Sequence, residues 1–125
     1  MSKFEAITRQ LNQAVARLEE VLKMETSDVI KDSAIQRFEF SLDLAWKTLK
    51  AYLEEKKGVL VNSPKEALRE AFRQGLIEYE ENWLTMVDLR NQTVHTYNQD
   101  LADKIYSQLP EFLPLFQALL SKLNS

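Results

Sequence analysis

The side chains best suited to chemistry stand together in the octet Arg90-Asn91-Gln92-Thr93-Val94-His95-Thr96-Tyr97. His95 is the only histidine of the chain, and an imidazole can give or take a proton near neutral pH. Arg90 supplies a planar, permanently charged group that matches a phosphate, and Asn91 supplies a carboxamide that could orient His95 or bind a phosphate oxygen. Tyr97 adds a phenol. Such a set would suit acid–base chemistry at a phosphate.

On a regular helix these side chains would divide between two faces. One stripe, with spacings of four, three and four residues, comprises Trp83, Val87, Arg90 and Val94. His95 follows Arg90 by about 140° around the helix, whereas Tyr97 follows it by about 20°. Asn91 and His95 are four residues apart and can touch. Arg90 and His95 of one chain can therefore meet on a small ligand only if the helix is distorted, and otherwise a second chain must complete the site.

The second half of the octet is a poor helix former. Gln92-Thr93-Val94-His95-Thr96-Tyr97-Asn98 contains three β-branched residues and ends in asparagine. We therefore expect the helix to distort or end near residues 93–98.

Structural roles are open for each of these residues. His95 could be a helix-end or surface residue, and Tyr97 could belong to the core with a satisfied hydroxyl. Arg90 could form a structural ion pair with Asp88 or with Glu39 of a neighbouring helix. We expect no metal site and no cofactor, because the chain has one histidine, no cysteine and no Gly-rich phosphate loop.

The elements that must position the octet are helices. The chain of 125 residues is 45% hydrophobic, with only two glycines and three prolines, which favours a few long helices over an all-β fold. We predict an all-α fold of about five helices in a single domain, residues 1–125. The helices are predicted at 3–24, at 28–57, from Ser63-Pro64 to about Gly75, from near Glu80–Asn82 into the octet, and at 99–123.

Local signals support these boundaries. Ser63 can cap a helix whose first residue is Pro64, and Glu66 completes a capping box. Asn98 can cap the last helix, in which Pro110 and Pro114 should cause a bend or a restart. The second helix is apolar on more than one face, with Phe40 beside its main stripe, which indicates a central helix or one that also meets a partner chain.

Charge and hydropathy limit the classes of function. The formal net charge is −3, so we do not expect a broad basic surface that binds nucleic acid through its charge. Any RNA or nucleotide would need a local binding site. The N-terminal residues carry charges where a signal peptide would be apolar, and no apolar run approaches the ~20 residues that span a bilayer. We expect a soluble cytoplasmic protein that does not bind a membrane.

The octet resembles the signature of the HEPN superfamily, R-polar-x3-H, and its longer R-x4-H-x-Y form with Tyr97 in the last place. Other landmarks look like the nucleotidyltransferase substrate-binding protein family and cover about residues 4–122. They are Ile35-Gln36-Arg37-Phe38-Glu39, Trp46-Lys47, Ser63-Pro64, Gly75-Leu76-Ile77, Trp83 and the octet followed by Asn98.

This resemblance implies an up-and-down helical bundle that forms a homodimer, with the motif residues of both chains facing a shared cleft. It also implies a minimal nucleotidyltransferase as partner. In related toxin–antitoxin pairs the HEPN member is a metal-independent ribonuclease, which its partner silences by adding AMP to the motif tyrosine, here Tyr97. Arg90, Asn91 and His95 would then be catalytic, and a dimer would supply two imidazoles.

Two further functions use the same residues. A non-catalytic subunit could hold a nucleotide through Arg90 and His95 and present it to the nucleotidyltransferase, with Tyr97 as acceptor or contact. A purely structural octet would only join helices.

Overall fold

The computed structural model describes residues 1–124, and across them the chain forms an all-α bundle without strands. Its five α-helices are α1 (Lys3–Leu22), α2 (Asp28–Tyr52), α3 (Pro64–Arg73), α4 (Glu80–His95) and α5 (Gln99–Leu123). A π-helical turn, Leu53–Lys57, extends α2 and ends at Gly58, whose left-handed backbone (φ 66°) suits glycine. The predicted helical bundle is confirmed.

Side-chain caps explain where α2, α3 and α5 begin, as one also does at Ser2 before α1. The Oγ atoms of Ser27 and Ser63 accept hydrogen bonds from the backbone N–H three residues later, at 3.1 and 3.3 Å. Asn98 Oδ1 accepts from Leu101 N–H at 2.9 Å. The Glu66 carboxylate reaches back to the N–H of Asn62 (3.1 Å), one residue before the expected partner of a capping box.

Helix α2 is the central helix, because it packs against α1, α3, α4 and α5. Its inner stripe is buried, and the Phe38 ring lies 5.7 Å from that of Phe112 and 6.4 Å from that of Phe116, centroid to centroid. Trp83 meets the same Phe116 ring edge-on at 5.4 Å. This aromatic cluster fixes α2, α4 and α5 relative to one another and so positions the octet.

Three details differ from the prediction. Helix α2 ends at Tyr52 and continues to residue 57 as a π-helical turn. Helix α5 runs unbroken through Pro110 and Pro114, so the alternative of a helical restart was wrong. Both prolines are exposed and four residues apart, so the backbone carbonyls that they leave without an N–H donor can be hydrated. The spacing of Ala67, Leu68, Ala71 and Phe72 predicts one inner stripe of α3, yet Phe72 is 49% exposed.

Among the described residues, every helix is too short or too polar to cross a membrane.

Candidate functional site

Helix α4 ends at the histidine of the octet. It is regular from Glu80 to His95, and Thr96 then adopts extended backbone angles (φ −146°, ψ 112°) while its N–H closes the last turn on the Gln92 carbonyl at 2.9 Å. Asn98 begins α5 after this short break. The predicted termination within residues 93–98 is confirmed.

The structure does not bring Arg90 and His95 of one chain together. Because α4 is regular between them, the two side chains project from the helix in directions that differ by about 140° around its axis. Arg90 is half-buried between helices, whereas Asn91 and His95 are exposed. His95 borders a shallow hollow of about 310 Å³, formed with Gln92 and the start of α5. One chain therefore offers an arginine on one side of the helix end and an imidazole on the other.

Arg90 faces the Glu39 carboxylate of α2. Burial raises the pKa of Glu39, while the Arg90 guanidinium and the Thr93 hydroxyl act in the opposite direction. Arg90 takes part in none of the four ion pairs found across residues 1–124. The alternative pairing with Asp88 was wrong, because Asp88 binds Lys65 of α3 at 2.7 Å. The N–H donors of the Arg90 guanidinium thus remain available to a ligand, although the Glu39 carboxylate lies nearby and offsets part of its charge.

Tyr97 reaches the same face of α2 from beyond the helix. Its hydroxyl donates to Asp32 Oδ1 at 3.4 Å, and its ring is 51% exposed. Burial, followed by the nearby Asp32 and Glu39 carboxylates, raises the pKa of the Tyr97 phenol. The position of Tyr97 on an ideal helical wheel was wrong, since the helix ends at His95. Tyr97 and Arg90 nevertheless converge on the carboxylate face of α2, formed by Asp32 and Glu39.

The sequence contained a signal for this carboxylate face. Asp32 and Glu39 are seven residues apart on α2 and therefore share one side of that helix. The sequence-based prediction named Glu39 as a possible partner of Arg90 and as part of a family landmark, but it missed Asp32. A spacing within one helix shows that two side chains share a face, but it does not show which other helix that face meets.

No three His, Cys, Asp or Glu side chains group together as a metal site within residues 1–124. What the site offers chemically is a fixed cation, an exposed imidazole and a hydrogen-bonded phenol.

The half-buried Glu39 predicts a pH-dependent stability. Because its folded pKa lies above the ordinary value of 4.5, the folded chain holds more protons than the unfolded chain between those two values. The free energy of unfolding therefore falls as pH rises through that interval. We expect Glu39→Gln to unfold at a higher temperature than the wild type at pH 7 and to lose this advantage near pH 4.

Thermal unfolding at both pH values measures this effect, with the exposed Glu111→Gln as control. Equal melting temperatures of wild type and Glu39→Gln at pH 7 would show instead that Arg90 fully offsets the burial of Glu39.

Comparison with known proteins identifies relatives of this chain. A crystal structure of a protein from Thermus thermophilus superimposes with a TM-score of 0.86 at 42% identity, covering 92% of this chain and 99% of that one. A Haemophilus influenzae structure superimposes with a TM-score of 0.71 at 33% identity, covering 98% and 97%. The latter is described as revealing the fold of a substrate binding domain of a nucleotidyltransferase.

Sequence comparison agrees with the structural likeness. The chain is 37% identical over 104 residues to the "Probable ribonuclease HepT" of Haemophilus influenzae strain Rd, a match that covers 78% of this chain and 69% of that protein. Residues 2–125 match the family described as "Nucleotidyltransferase substrate binding protein like". As its resemblance to HEPN proteins predicts, the chain belongs to the nucleotidyltransferase substrate binding protein-like family.

Proposed function

We propose that this protein is the HEPN member of a two-component system with a minimal nucleotidyltransferase. In this proposal it is a metal-independent endoribonuclease and toxin whose site is shared by two protomers. Addition of a nucleotide to Tyr97 silences it. The observation that carries the proposal is the end of α4, which presents His95 to solvent on a different face from Arg90. The 37% identity to a protein named a probable ribonuclease supports it.

A two-fold dimer resolves the separation of Arg90 and His95. Two copies of the α4 end placed face to face supply two imidazoles and two guanidinium groups to one cleft. His95 of one protomer takes the proton of an RNA 2′-hydroxyl, whose oxygen then attacks the adjacent phosphorus. The bond from phosphorus to the 5′-oxygen breaks, and the partner's His95 gives that oxygen a proton. The products are a 2′,3′-cyclic phosphate and a 5′-hydroxyl.

Arg90 and Asn91 act on charge and orientation in this mechanism. The guanidinium of Arg90 binds the equatorial phosphate oxygens, where negative charge grows in the transition state. Glu39 leaves it free to do so, since the two form no close ion pair. Asn91, one turn before His95 and exposed like it, orients the imidazole or binds a phosphate oxygen.

RNA cleavage by the purified protein in EDTA tests the ribonuclease. We expect wild-type protein to cut RNA without a divalent cation and to leave cyclic phosphate ends. The second candidate is a non-catalytic subunit that binds a nucleotide for the nucleotidyltransferase, which the description of the Haemophilus structure favours. Nucleotide binding without any RNA cleavage would establish that candidate in place of the ribonuclease.

The geometry of Tyr97 suits nucleotide addition. Its ring is half exposed, and its hydroxyl already donates to a carboxylate. The phenol oxygen attacks the α-phosphorus of a nucleoside triphosphate, pyrophosphate leaves, and the phenolic proton passes to Asp32. A phenol keeps its proton at neutral pH, and the raised pKa of Tyr97 strengthens this, so the reaction needs such an acceptor.

Co-expression with a minimal nucleotidyltransferase tests this role of Tyr97. We expect the intact mass of the wild-type chain to rise by one or more nucleotidyl groups, and that of Tyr97→Phe to stay unchanged. Tyr79→Phe is the matched control, because Tyr79 is even more exposed (64%) and lies outside the octet. Modification of Tyr97→Phe to the wild-type extent, or an unmodified wild type, would remove Tyr97 as acceptor.

A further inference from the structure

A second surface of α2 carries the features of a nucleic-acid site. A groove of about 420 Å³ runs between α1 and α2, and none of the residues that line it is a carboxylate. Two arginines line it, Arg17 from α1 and Arg37 from α2. The chain as a whole is acidic, with a net charge of −3, so this groove opposes the general charge of the protein.

The two arginines have no acidic partner among residues 1–124, where four ion pairs involve other side chains. The Nε–H of Arg37 donates to Ser33 Oγ at 3.2 Å, one helical turn earlier. This hydrogen bond orients the side chain of the half-buried Arg37 and leaves the two terminal nitrogens of its guanidinium for another acceptor. Two like charges beside one groove repel each other unless an anion lies between them.

An aromatic ring and three carboxamides complete the groove. Phe40 lines it and is 57% exposed, although large apolar side chains are usually buried. Gln10, Gln13 and Gln36 also line it. A phenylalanine ring can stack on any unpaired base, and a carboxamide can donate to and accept from base edges.

We propose that this groove binds single-stranded RNA, with an unpaired base on Phe40 and backbone phosphate on Arg17 and Arg37. The volume of the groove suits a nucleotide and not a duplex, and stacking on Phe40 requires a base without a partner strand. Each nucleotide of a single strand supplies both a phosphate for the arginines and a flat base for Phe40, whereas an acidic residue of a peptide supplies the charge alone.

The groove and the octet lie on either side of the same exposed face of α2. Glu39 faces Arg90 and its neighbour Phe40 faces the groove, so about 100° of helix surface separates the two sites. An RNA strand lying across this face could reach both. The inference therefore rests on the proposed function and deepens it, since it names single-stranded RNA as the substrate held beside the cleavage site.

Fluorescence anisotropy with a short unstructured oligouridylate tests the groove. The measurement uses His95→Ala protein in EDTA, so that the RNA stays intact. We expect Phe40→Ala to weaken binding by about tenfold or more, which is the scale of one lost base stack. Affinity falls with salt, and Arg17→Gln and Arg37→Gln should each make this dependence shallower. The slope of log affinity against log salt should become less negative by about 0.7, as expected for one lost phosphate contact to a single strand.

Matched controls lie elsewhere on the surface. Phe72→Ala removes a ring of similar exposure (49%) from α3, and Arg9→Gln removes an arginine of α1 that borders a different hollow. Both should bind like the parent protein. The inference is overturned if Phe40→Ala and Arg37→Gln bind as tightly as these controls. It is also overturned if their loss of affinity accompanies a fall in oligomeric mass by light scattering, because the groove would then be a contact between copies.

The failure of this inference and that of the proposed function can be told apart. If the wild-type protein cleaves RNA and the groove variants bind RNA normally, the groove is excluded as an RNA site and the ribonuclease proposal stands. If the wild-type protein binds RNA through the groove but cleaves none, the ribonuclease activity is excluded and the groove stands as a binding site.

Discussion

Replacing His95 or Arg90 by alanine is expected to lower the rate of RNA cleavage in EDTA by at least about 10²-fold. General acid–base catalysis contributes about 10²–10⁴-fold, and one lost stabilising contact to a developing oxyanion costs a similar factor. The chain contains no second histidine that could replace His95. Initial rates on a defined RNA, measured for each variant beside the wild type, give the ratio.

Stability measurements separate catalysis from folding. His95 is exposed at the end of α4, so His95→Ala should change the free energy of unfolding by no more than about 0.5 kcal/mol. Arg90→Ala leaves the half-buried Glu39 without its counter-charge and should be less stable. The double variant Arg90→Ala/Glu39→Gln should recover that stability while staying inactive. If the octet only joins helices, His95→Ala itself will unfold readily.

Mixing protomers shows whether the site is shared. An excess of His95→Ala protein should reduce the activity of wild-type protein, because mixed dimers contain a single imidazole. If the two kinds of chain do not pair, the same excess of inactive chains will leave the activity of the wild-type protein unchanged. The structure supports a shared site because Arg90 and His95 diverge on a regular helix.

Phe116→Ala is expected to cost about 3–5 kcal/mol of folding free energy, the usual range for removing a fully buried aromatic ring. Phe116 is 0% exposed and contacts the rings of both Phe38 and Trp83, so its loss leaves a cavity where α2, α4 and α5 meet. Small domains are stable by about 5–15 kcal/mol in total, which makes this a large fraction. Urea unfolding followed by far-UV circular dichroism measures the change.

Phe72→Ala is the control for this substitution, because a half-exposed ring on α3 leaves no enclosed cavity. It should cost much less than Phe116→Ala. A similar cost for both would mean that the aromatic cluster is not the part of the core that holds the three helices together.

Local sequence signals predicted the positions of the helices well, but they predicted the side-chain contacts between helices less well. The caps at Ser63 and Asn98 were recognisable because a cap needs only residues adjacent in the chain. A distortion or end of α4 near residues 93–98 was recognisable because that segment contains three β-branched residues and an asparagine. The inner stripe of α2 followed from its helical period, and Phe38 and Leu42 are indeed buried.

The partners of the octet depended on packing between helices. Val94 continues the stripe of Trp83 and Val87, yet it is 64% exposed, because helical spacing does not show where along α4 the packing against other helices ends. Tyr97 could not be placed by a helical wheel once the helix had ended. Its contact with Asp32 depends on how α4 lies against α2, which is set by distant rings such as Phe116.

The π-helical turn at Leu53–Lys57 has a consequence for changes in chain length. A π-helical turn holds one residue more than the α-helical turn it replaces, so α2 absorbs an additional residue there, well beyond Phe40. One residue inserted between Asp32 and Glu39 would instead turn the later part of α2 by about 100° and move the carboxylate that faces Arg90 away from the one that binds Tyr97. We therefore expect a change of one residue in chain length to be tolerated better after Leu53 than between Asp32 and Phe40.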